Sequence, residues 1–214
     1  MQECQETVFD CGLLGFMNTR DATLLRSCNR CAKAAVGQHA WADMETRIRH
    51  VRHWRACFPL ATRANLSHHA SLAHYEFKYL EKITHLDLSY CESYSFINDS
   101  FRYLQELRHL DMSHSWQDPT VWAFFREAFD DSLFRYLGKL ETLKLDGYGI
   151  SQFDGEFINY LPKLRTLYLR NWSPGPANCR TFFKNMKANV YTTHESWVFN
   201  HWNEMPRQGF YITG

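Results

Sequence analysis

Two short His-Leu-Asp segments contain the residues of this 214-residue chain whose types could do chemistry. His85 and Asp87 form the first segment, and His109 and Asp111 form the second. An imidazole and a carboxylate held side by side can transfer protons or bind a metal ion. They can equally belong to a polar, solvated face with His–Asp hydrogen bonds, or to a patch that binds a protein partner. The secondary-structure elements that carry these residues decide whether they form a chemical site, a solvated polar face or a patch that binds a partner.

A Cys-x-x-Cys pair, Cys28 and Cys31, is the second candidate for chemistry. A zinc site usually needs a second pair of ligands at matching spacing, and Cys4, Cys11, His39 and Cys57 form no such pair. At i,i+3 spacing in a helix both thiols can be buried, and we favour this interpretation over zinc binding or redox catalysis. No catalytic signature such as GxSxG or HExxH occurs. The sequence therefore predicts a protein that is not an enzyme and that holds no metal and no cofactor.

A repeat organises the middle of the chain. Apolar positions recur with spacings of 3, 3, 2 and 3 in four copies and in a degenerate copy that precedes them. The copies begin at Leu80, Leu104, Leu137 and Leu161, and the degenerate copy begins at Phe58. Three residues before each leucine stands an apolar residue, namely Phe77, Phe101, Phe134 or Ile158. The starts of the four copies are 24, 33 and 24 residues apart, so the long step is one unit with about nine inserted residues.

This pattern resembles the leucine-rich-repeat family, in the type that has Cys rather than Asn at the turn position. Cys91 fits the type, whereas Ser115, Tyr148 and Trp172 stand where the Cys is missing. The resemblance implies an α/β fold, a leucine-rich-repeat solenoid with parallel strands on the concave side and helices on the convex side. The L-x-L centre of each unit is a short strand with both leucines pointing inward. Such units bury their apolar faces only by stacking on one another.

The residues that flank the inward leucines must point outward from the sheet. Neighbouring strands lie about 4.8 Å apart, so His85 is expected beside His109 and Asp87 beside Asp111. We expect any strong contact with a partner toward the C-terminal end, where tyrosine and arginine, which anchor interfaces, occur. The candidate partner-binding residues are His85, Asp87, His109, Asp111, Lys144, Asp146, Tyr168 and Arg170.

Three segments follow from the position of the repeats. Residues 1–57 are predicted to be a helical module, residues 58–188 hold about five repeats with an insertion at 115–128, and residues 189–214 form a C-terminal cap. The insertion has a helix start at Asp118 and Pro119. The last segment carries aromatic residues but no leucine pattern, and a stack of repeats needs a cover for its last open core.

The N-terminal module is predicted to be helical. An apolar run ends at Asn18, and Asp21 is placed to cap one helix that runs to Gly37. The order Phe16-Met17, Asp21, Leu24-Leu25-Arg26, Asn29-Arg30 and Trp41 resembles a degenerate F-box, although the usual Leu-Pro start and a late aromatic residue are missing. The resemblance implies that a Skp-type adaptor contacts Leu13, Leu14, Phe16, Met17, Leu24 and Leu25, with Trp41 closing the module.

Composition and charge exclude several classes of protein. Hydrophobic residues make up 45% of the chain, which is enough for a packed core and excludes a disordered chain. With 24 Lys and Arg against 23 Asp and Glu, no basic excess indicates nucleic-acid binding. No apolar run is long enough to span a membrane, and the first residues do not resemble a targeting segment. Seven irregularly spaced cysteines favour reduced thiols in the cytoplasm or the nucleus.

Two hypotheses for the function follow, and both are non-enzymatic. An F-box followed by leucine-rich repeats implies a substrate receptor of a cullin-type ubiquitin ligase, which binds a Skp-type adaptor and a target protein. The alternative is a structural accessory subunit that contacts neighbouring subunits of a large complex, such as a mitochondrial respiratory or ATP synthase complex. Small leucine-rich-repeat proteins related to the ATP synthase s subunit share this size and organisation, and this alternative implies a mitochondrial location.

Overall fold

A parallel β-sheet connects the described parts of the protein. The computed structural model describes residues 14–91, 94–95, 98–113, 131–147, 157–169, 189–192 and 210–212. Its strands are β1 (Arg63–Asn65), β2 (Leu72–Ala73), β3 (His85–Asp87), β4 (Tyr94–Ser95), β5 (His109–Asp111), β6 (Thr142–Lys144), β7 (Thr166–Tyr168), β8 (Asn189–Thr192) and β9 (Phe210–Ile212). The main sheet has the order β1-β3-β5-β6-β7-β8-β9, and β2 pairs with β4 in a separate parallel ladder. The fold is therefore mixed α/β with a parallel sheet.

Short helices precede the sheet and connect its strands. Three α-helices come first, namely α1 (Thr19–Cys28), α2 (Arg30–Gln38) and α3 (Val51–Cys57). Three 3₁₀ helices, His74–Leu80, Asn98–Tyr103 and Asp131–Tyr136, and the short helix α4 (Phe157–Tyr160) lie between strands of the main sheet. The predicted insertion at 115–128 lies outside the described residues. No helix in the described part of the chain is long and apolar enough to cross a membrane.

The register of the main sheet is the one that the leucine spacing predicts. Leu86 pairs with Leu110, Leu110 with Leu143, and Leu143 with Leu167. These central residues are buried, whereas the residues on either side of each are half-exposed. The alternation follows from the two-residue period of a strand. The prediction that the repeated leucines lie side by side on adjacent parallel strands is confirmed.

The sheet continues beyond the predicted repeats. Strand β8 pairs with β7 and strand β9 pairs with β8, both in parallel orientation. Val190, at the centre of β8, continues the register after Leu167. Residues 189–192 and 210–212, to which the sequence assigned a terminal cap, therefore contribute strands to the same sheet.

The predicted helical turn before each leucine is a 3₁₀ helix in three of the four copies. In a 3₁₀ helix, residues i and i+3 lie directly above one another because a turn contains three residues. Phe77 and Leu80 have this spacing, and both are fully buried. The helical turn predicted at this position is thus a 3₁₀ helix in three copies and the α-helix α4 in the fourth. A short 3₁₀ segment orients the aromatic residue and the leucine toward the core within a few residues.

Tilted phenylalanine rings that pack in pairs form a second ladder in the core. The ring centroids of Phe77 and Phe101 are 5.6 Å apart, and those of Phe134 and Phe157 are 5.1 Å apart. The repeat pattern placed Ile158 in this ladder, but Phe157 is the buried residue that packs on Phe134. The larger ring occupies the interior, because burying more apolar surface is more favourable.

Residues 19–38 form two helices where the sequence predicted one helix from Asp21 to Gly37. Asn29 adopts an extended conformation between α1 and α2, and its side-chain oxygen accepts a hydrogen bond from the Ala32 amide at 2.8 Å. Asn18, rather than Asp21, is the N-cap of α1. Asparagine competes for backbone hydrogen bonds and therefore favours helix caps over helix interiors.

The break at Asn29 also changes the environment of the Cys-x-x-Cys pair. Cys28 is the last residue of α1, and Cys31 lies in the first turn of α2. Both thiols are exposed, so the prediction that they are buried on one helix face is wrong. One straight helix would have placed them on the same face, and the extended Asn29 between them removes that geometry.

Hydrogen bonds hold the module together and join it to the first repeat. The Trp41 indole N–H donates to the Val36 carbonyl at 2.8 Å, and the Thr62 amide donates to the Trp41 carbonyl at 2.9 Å. Arg26 donates to the Cys57 carbonyl at 2.9 Å. Buried residues of the module and of the repeats form one continuous hydrophobic cluster. The module and the repeats therefore share a core.

Arg55 connects helix α3 to the segment before β1 and to the 3₁₀ helix His74–Leu80. Its Nε donates to the Tyr79 carbonyl at 2.5 Å, and its Nη1 donates to the Ala61 carbonyl at 3.0 Å. Burial lowers the pKa of Arg55, and Glu81 opposes this effect. Guanidinium suits this role because it presents several donors in a rigid plane. The contacts fix the path of the chain from α3 into the sheet.

The segment before α3 covers the first edge of the sheet. Arg47 forms an isolated parallel bridge with Asn65 of β1, and the Ile48 amide donates to the Asn65 carbonyl at 2.8 Å. The Asn65 side chain donates to the Met44 carbonyl at 2.7 Å. An uncovered edge strand would leave backbone groups free to pair with another chain. This edge is thus occupied by the chain itself.

Replacing Leu110 by alanine tests the buried ladder. We expect the free energy of unfolding to fall by about 3 kcal/mol, because a core Leu→Ala change loses transfer energy and leaves a cavity. Leu60→Ala is the matched control, since Leu60 is 44% exposed, and we expect a loss of about 0.5 kcal/mol or less. Urea denaturation followed by circular dichroism measures both. Equal losses for the two variants would contradict the burial of Leu110 in the ladder.

Candidate functional site

The strand face of the main sheet brings the sequence-predicted partner-binding residues together. One row across the strands contains Arg63, His85, His109, Thr142 and Thr166. A second row contains Asn65, Asp87, Asp111, Lys144 and Tyr168. These two rows together make up the strand face. Asp146 lies just after β6, and Arg170 lies outside the described residues.

Two histidines stack at the centre of the first row. The ring centroids of His85 and His109 are 4.0 Å apart, with an angle of 20° between the ring planes. The Thr84 hydroxyl lies 2.9 Å from His85 Nδ1. Burial, His109, Arg63 and Arg108 lower the pKa of His85 to about 4. Burial and the same arginines lower the pKa of His109, against the opposing charge of Glu141. Both rings are therefore neutral at neutral pH.

The acidic residues of the second row hold the turns that follow their strands. Asp87 Oδ1 accepts a hydrogen bond from the Ser89 amide at 2.8 Å, and Asp111 Oδ1 accepts one from the Ser113 amide at 3.0 Å. Asn65 accepts from the Ser67 amide in the same way, at 2.9 Å. These are Asx turns, in which a side chain bonds to the backbone two residues on. One oxygen of each carboxylate is thus committed to the fold.

A cation and an aromatic ring continue the second row. Lys144 Nζ lies 3.0 Å from Asp111 Oδ2 and 5.7 Å from the centroid of the Tyr168 ring. Burial alone would lower the pKa of Lys144, but the carboxylates of Asp111, Asp146 and Asp87 raise it above its ordinary value. The row therefore presents two acids, a fixed ammonium group and a phenol ring in sequence across four strands. Such a row can bind by charge and by aromatic contact.

The geometry of the strand face does not assemble a catalytic or metal centre among the described residues. Among the described residues, no His–Asp hydrogen bond joins the two rows, and His85 and His109 stack on each other. Within the same residues, no group of three or more His, Cys, Asp and Glu side chains could hold a metal ion. A general base needs its partner within hydrogen-bond reach, and the two imidazoles have no carboxylate partner of this kind.

The predicted adaptor-binding residues fall into two sets. Phe16 and Leu24 are exposed, with 92% and 68% of their surface accessible. Met17 and Leu25 are partly buried against the core. Leu14 and Trp41 are buried, with 2% exposure each. Trp41 packs against Phe58 at a centroid distance of 5.4 Å, and Leu13 lies outside the described residues. Phe16 and Leu24 are thus the predicted residues that offer an apolar surface.

A turn position that the sequence analysis did not identify recurs two residues after a buried leucine in three of the described strand segments, those of β1, β3 and β6. His68, Tyr90 and Gly147 all have positive φ, at 56°, 55° and 83°. The rings of His68 and Tyr90 stack at 5.0 Å. Gly147 was the residue from which the sequence could have predicted this turn, because glycine adopts a positive φ without steric cost. The turns after β1 and β3 thus bring the rings of His68 and Tyr90 into contact.

Comparison with known proteins finds similarity in solved structures. No family model and no curated protein matches the chain. The structure of TLR13 in complex with ssRNA13 matches with a TM-score of 0.46 and 17% identity, over 74% of this chain and 22% of that one. An internalin from Listeria monocytogenes, inlF, matches with a TM-score of 0.38 and 11% identity, over 87% of this chain and 64% of that one.

Both of these structures are of leucine-rich-repeat proteins. The chain spans about a fifth of the length of the first and just under two thirds of the length of the second. Both TM-scores lie below 0.5. The assignment of the chain to the mixed α/β class therefore comes from the strand register and the buried core of this structure, and not from these two matches.

The histidine stack makes stability depend on pH. The pKa of histidine in an unfolded chain is about 6.5, whereas the pKa of His85 in the folded chain is about 4. Between these values the unfolded chain binds more protons, so stability falls as the pH falls from about 6.5 toward 4. We expect the variant His85→Gln/His109→Gln to lose less stability than the wild type between pH 7 and pH 5. Chemical denaturation at both pH values measures this, and an unchanged difference would contradict the neutral stack.

Proposed function

We propose that this chain is a leucine-rich-repeat protein of the Cys type, a solenoid whose strand face binds a protein partner. The observation that carries the proposal is the continuous row of Asp87, Asp111, Lys144 and Tyr168 on an open face of registered parallel strands. Cys91 supports the Cys type, because its buried thiol donates to the Leu66 carbonyl at 3.2 Å. A thiol at this position closes the turn from the interior.

The partner binds mainly toward the C-terminal half of the strand face. Tyr168 supplies a rigid aromatic surface, and Lys144 is held in place by Asp111. Tyrosine is enriched among residues that dominate binding energy. A fixed ammonium loses less side-chain entropy on binding than a free lysine does. Asp146 and, by sequence position, Arg170 extend the same surface.

The finer proposal concerns the N-terminal module. We propose that it acts as an F-box-like module that binds a Skp-type adaptor, so that the whole chain is a substrate receptor of a cullin-type ubiquitin ligase. Phe16 and Leu24 support this, because they are exposed apolar residues at positions where the F-box resemblance expects contact with the adaptor. The receptor would act without an active site of its own, in the cytoplasm or the nucleus.

The same exposed side chains fit the alternative function. A structural accessory subunit of a large complex would bury Phe16 and Leu24 against a neighbouring subunit instead of an adaptor. Such a subunit of a respiratory or ATP synthase complex would lie in the mitochondrion. Fractionation of cells that express the tagged chain separates the two, since a purely cytosolic or nuclear signal contradicts the subunit hypothesis.

A double substitution tests the strand face. We expect Lys144→Ala/Tyr168→Ala to reduce the amount of copurifying partner about tenfold or more, since both anchors are lost. Lys163→Ala/Tyr160→Ala is the matched control, because it removes the same side-chain types from exposed positions outside the two rows. Quantitative mass spectrometry of the purified tagged chains measures the loss. An equal effect of both pairs, or none, would contradict binding at this face.

A direct binding assay tests the adaptor proposal. We expect a purified Skp-type adaptor to bind the full chain and to lose about tenfold or more in affinity with Leu24→Asp, because a carboxylate replaces an apolar contact. Leu60→Asp is the control, since Leu60 is also exposed but lies after α3. Isothermal calorimetry measures the affinities. No binding by the wild type removes the adaptor proposal and leaves the strand-face proposal unaffected.

A further inference from the structure

A local excess of positive charge lies between the N-terminal module and the first repeat. Residues 46–75 contain no Asp and no Glu, although the whole chain has a formal charge of only +1. The cationic and titratable residues of this stretch are Arg47, Arg49, Arg52, Arg55 and Arg63, with His50, His53, His68, His69 and His74. The positive charge of this segment is offset by acidic residues elsewhere, so the net charge of the chain does not reveal it.

The fold arranges part of this stretch around a groove. Helix α1, the segment before α3, helix α3 and the turn after β1 line an open groove of about 1490 Å³. Pockets for small molecules and cofactors have volumes of about 300–1,000 Å³. The groove therefore fits an extended segment of a larger molecule better than a single small ligand.

The groove has an apolar floor and a basic rim. Ile48, Trp54 and Phe58 are buried residues of its lining. Arg20 from α1, with Arg47 and Arg49 from the segment before α3, are exposed lining residues. Among the described residues that line the groove, Glu45 is the one acidic residue. The lining thus combines apolar surface with positive charge.

The backbone that carries these arginines is held in place, while their charges have no acidic partner in the described part of the chain. Main-chain bonds to Asn65 fix both Arg47 and Ile48, and a ring nitrogen of His69 lies 3.1 Å from the Arg49 carbonyl oxygen. The ion pairs found among the described residues lie on the repeats and involve neither Arg47 nor Arg49.

We propose that this basic groove binds an acidic, amphipathic peptide segment of a partner protein. Apolar side chains of the segment contact Leu24, which lines the groove and is 68% exposed, and its carboxylates pair with the arginines of the rim. Guanidinium matches carboxylate in planar, paired hydrogen bonds. The groove is separate from the strand face, and it shares Leu24 with the proposed adaptor-binding residues. The arginine variants below leave Leu24 in place, so their effect is distinct from that of Leu24→Asp.

The composition of the groove favours a peptide over a nucleic acid. Single-stranded nucleic acids bind by stacking bases on accessible aromatic faces, but Trp54 and Phe58 are buried, with 8% and 2% exposure. A nucleic-acid interface also carries a positive field over the domain, and the net charge of the chain is +1. Pairing of peptide carboxylates with the arginines of the groove acts over a short range, so it requires positive charge at the groove and not over the whole chain.

Selection from a random 12-residue peptide display library on the immobilised full chain tests the proposal. We expect the retained peptides to be enriched in Asp and Glu together with large apolar residues. Fluorescence anisotropy then measures the dissociation constants of individual peptides, which we expect to rise about tenfold or more with Arg47→Glu/Arg49→Glu. We also expect binding to weaken as sodium chloride increases from 50 to 300 mM, because exposed charge pairs are screened by salt.

A charge-matched variant and a competing ligand complete the experiment. Arg30→Glu/Arg165→Glu makes the same change in net charge at exposed positions that do not line the groove, and we expect it to leave the dissociation constant within about twofold. Circular dichroism shows whether each variant keeps its fold. Retained peptides without acidic enrichment, or equal losses in both variants, overturn the proposal. Tighter binding of a 12-nucleotide single strand to the same arginines also overturns it.

Discussion

The burial of repeated leucines between adjacent parallel strands is the interaction on which the rest of the structure depends. A three-residue strand such as β3 or β5 cannot form a stable unit alone, because its apolar side chains have no core of their own. Leu86, Leu110 and Leu143 obtain that core by stacking on one another in a fixed register, within one continuous hydrophobic cluster. A shift of one residue would turn the leucines to the solvent and the polar residues to the interior. The register therefore fixes both faces of the sheet at once.

The strand face follows from this constraint. Once the leucines point inward, His85 must lie against His109, and Lys144 must lie between Asp111 and Tyr168. The positions are imposed by the core, and the residue types determine what the face can bind. Because the Asx turns use one oxygen of Asp87 and Asp111, the same residues stabilise the fold and shape the surface. A partner would meet a preformed arrangement.

Features that follow from the spacing of the repeated leucines were predictable from the sequence. Features that depend on competition between a helix cap and continuation of the helix were not. The spacing of Leu86, Leu110, Leu143 and Leu167 determines the strand register, and the structure reproduces it. The break at Asn29 was not predicted, because a capping asparagine competes with continuation of the helix and period alone does not decide between them.

The candidate site shows the same division. Proximity of His85 and His109 followed from the repeat, but stacking in place of His–Asp pairing depends on side-chain orientation and burial, which a sequence does not specify. The basic groove was hidden by the overall charge balance, since acidic residues elsewhere offset Arg47 and Arg49. It arises only where α1, α3 and the turn after β1 meet.

Contacts between leucine methyl groups test the central claim most directly. Selective methyl labelling with nuclear Overhauser spectroscopy detects which leucines lie within a few ångströms of each other. The account predicts contacts along the series Leu86–Leu110, Leu110–Leu143 and Leu143–Leu167, because these pairs are neighbours on adjacent strands. Contacts that skip a strand, such as Leu86 with Leu167, together with the absence of the neighbouring contacts, would contradict it.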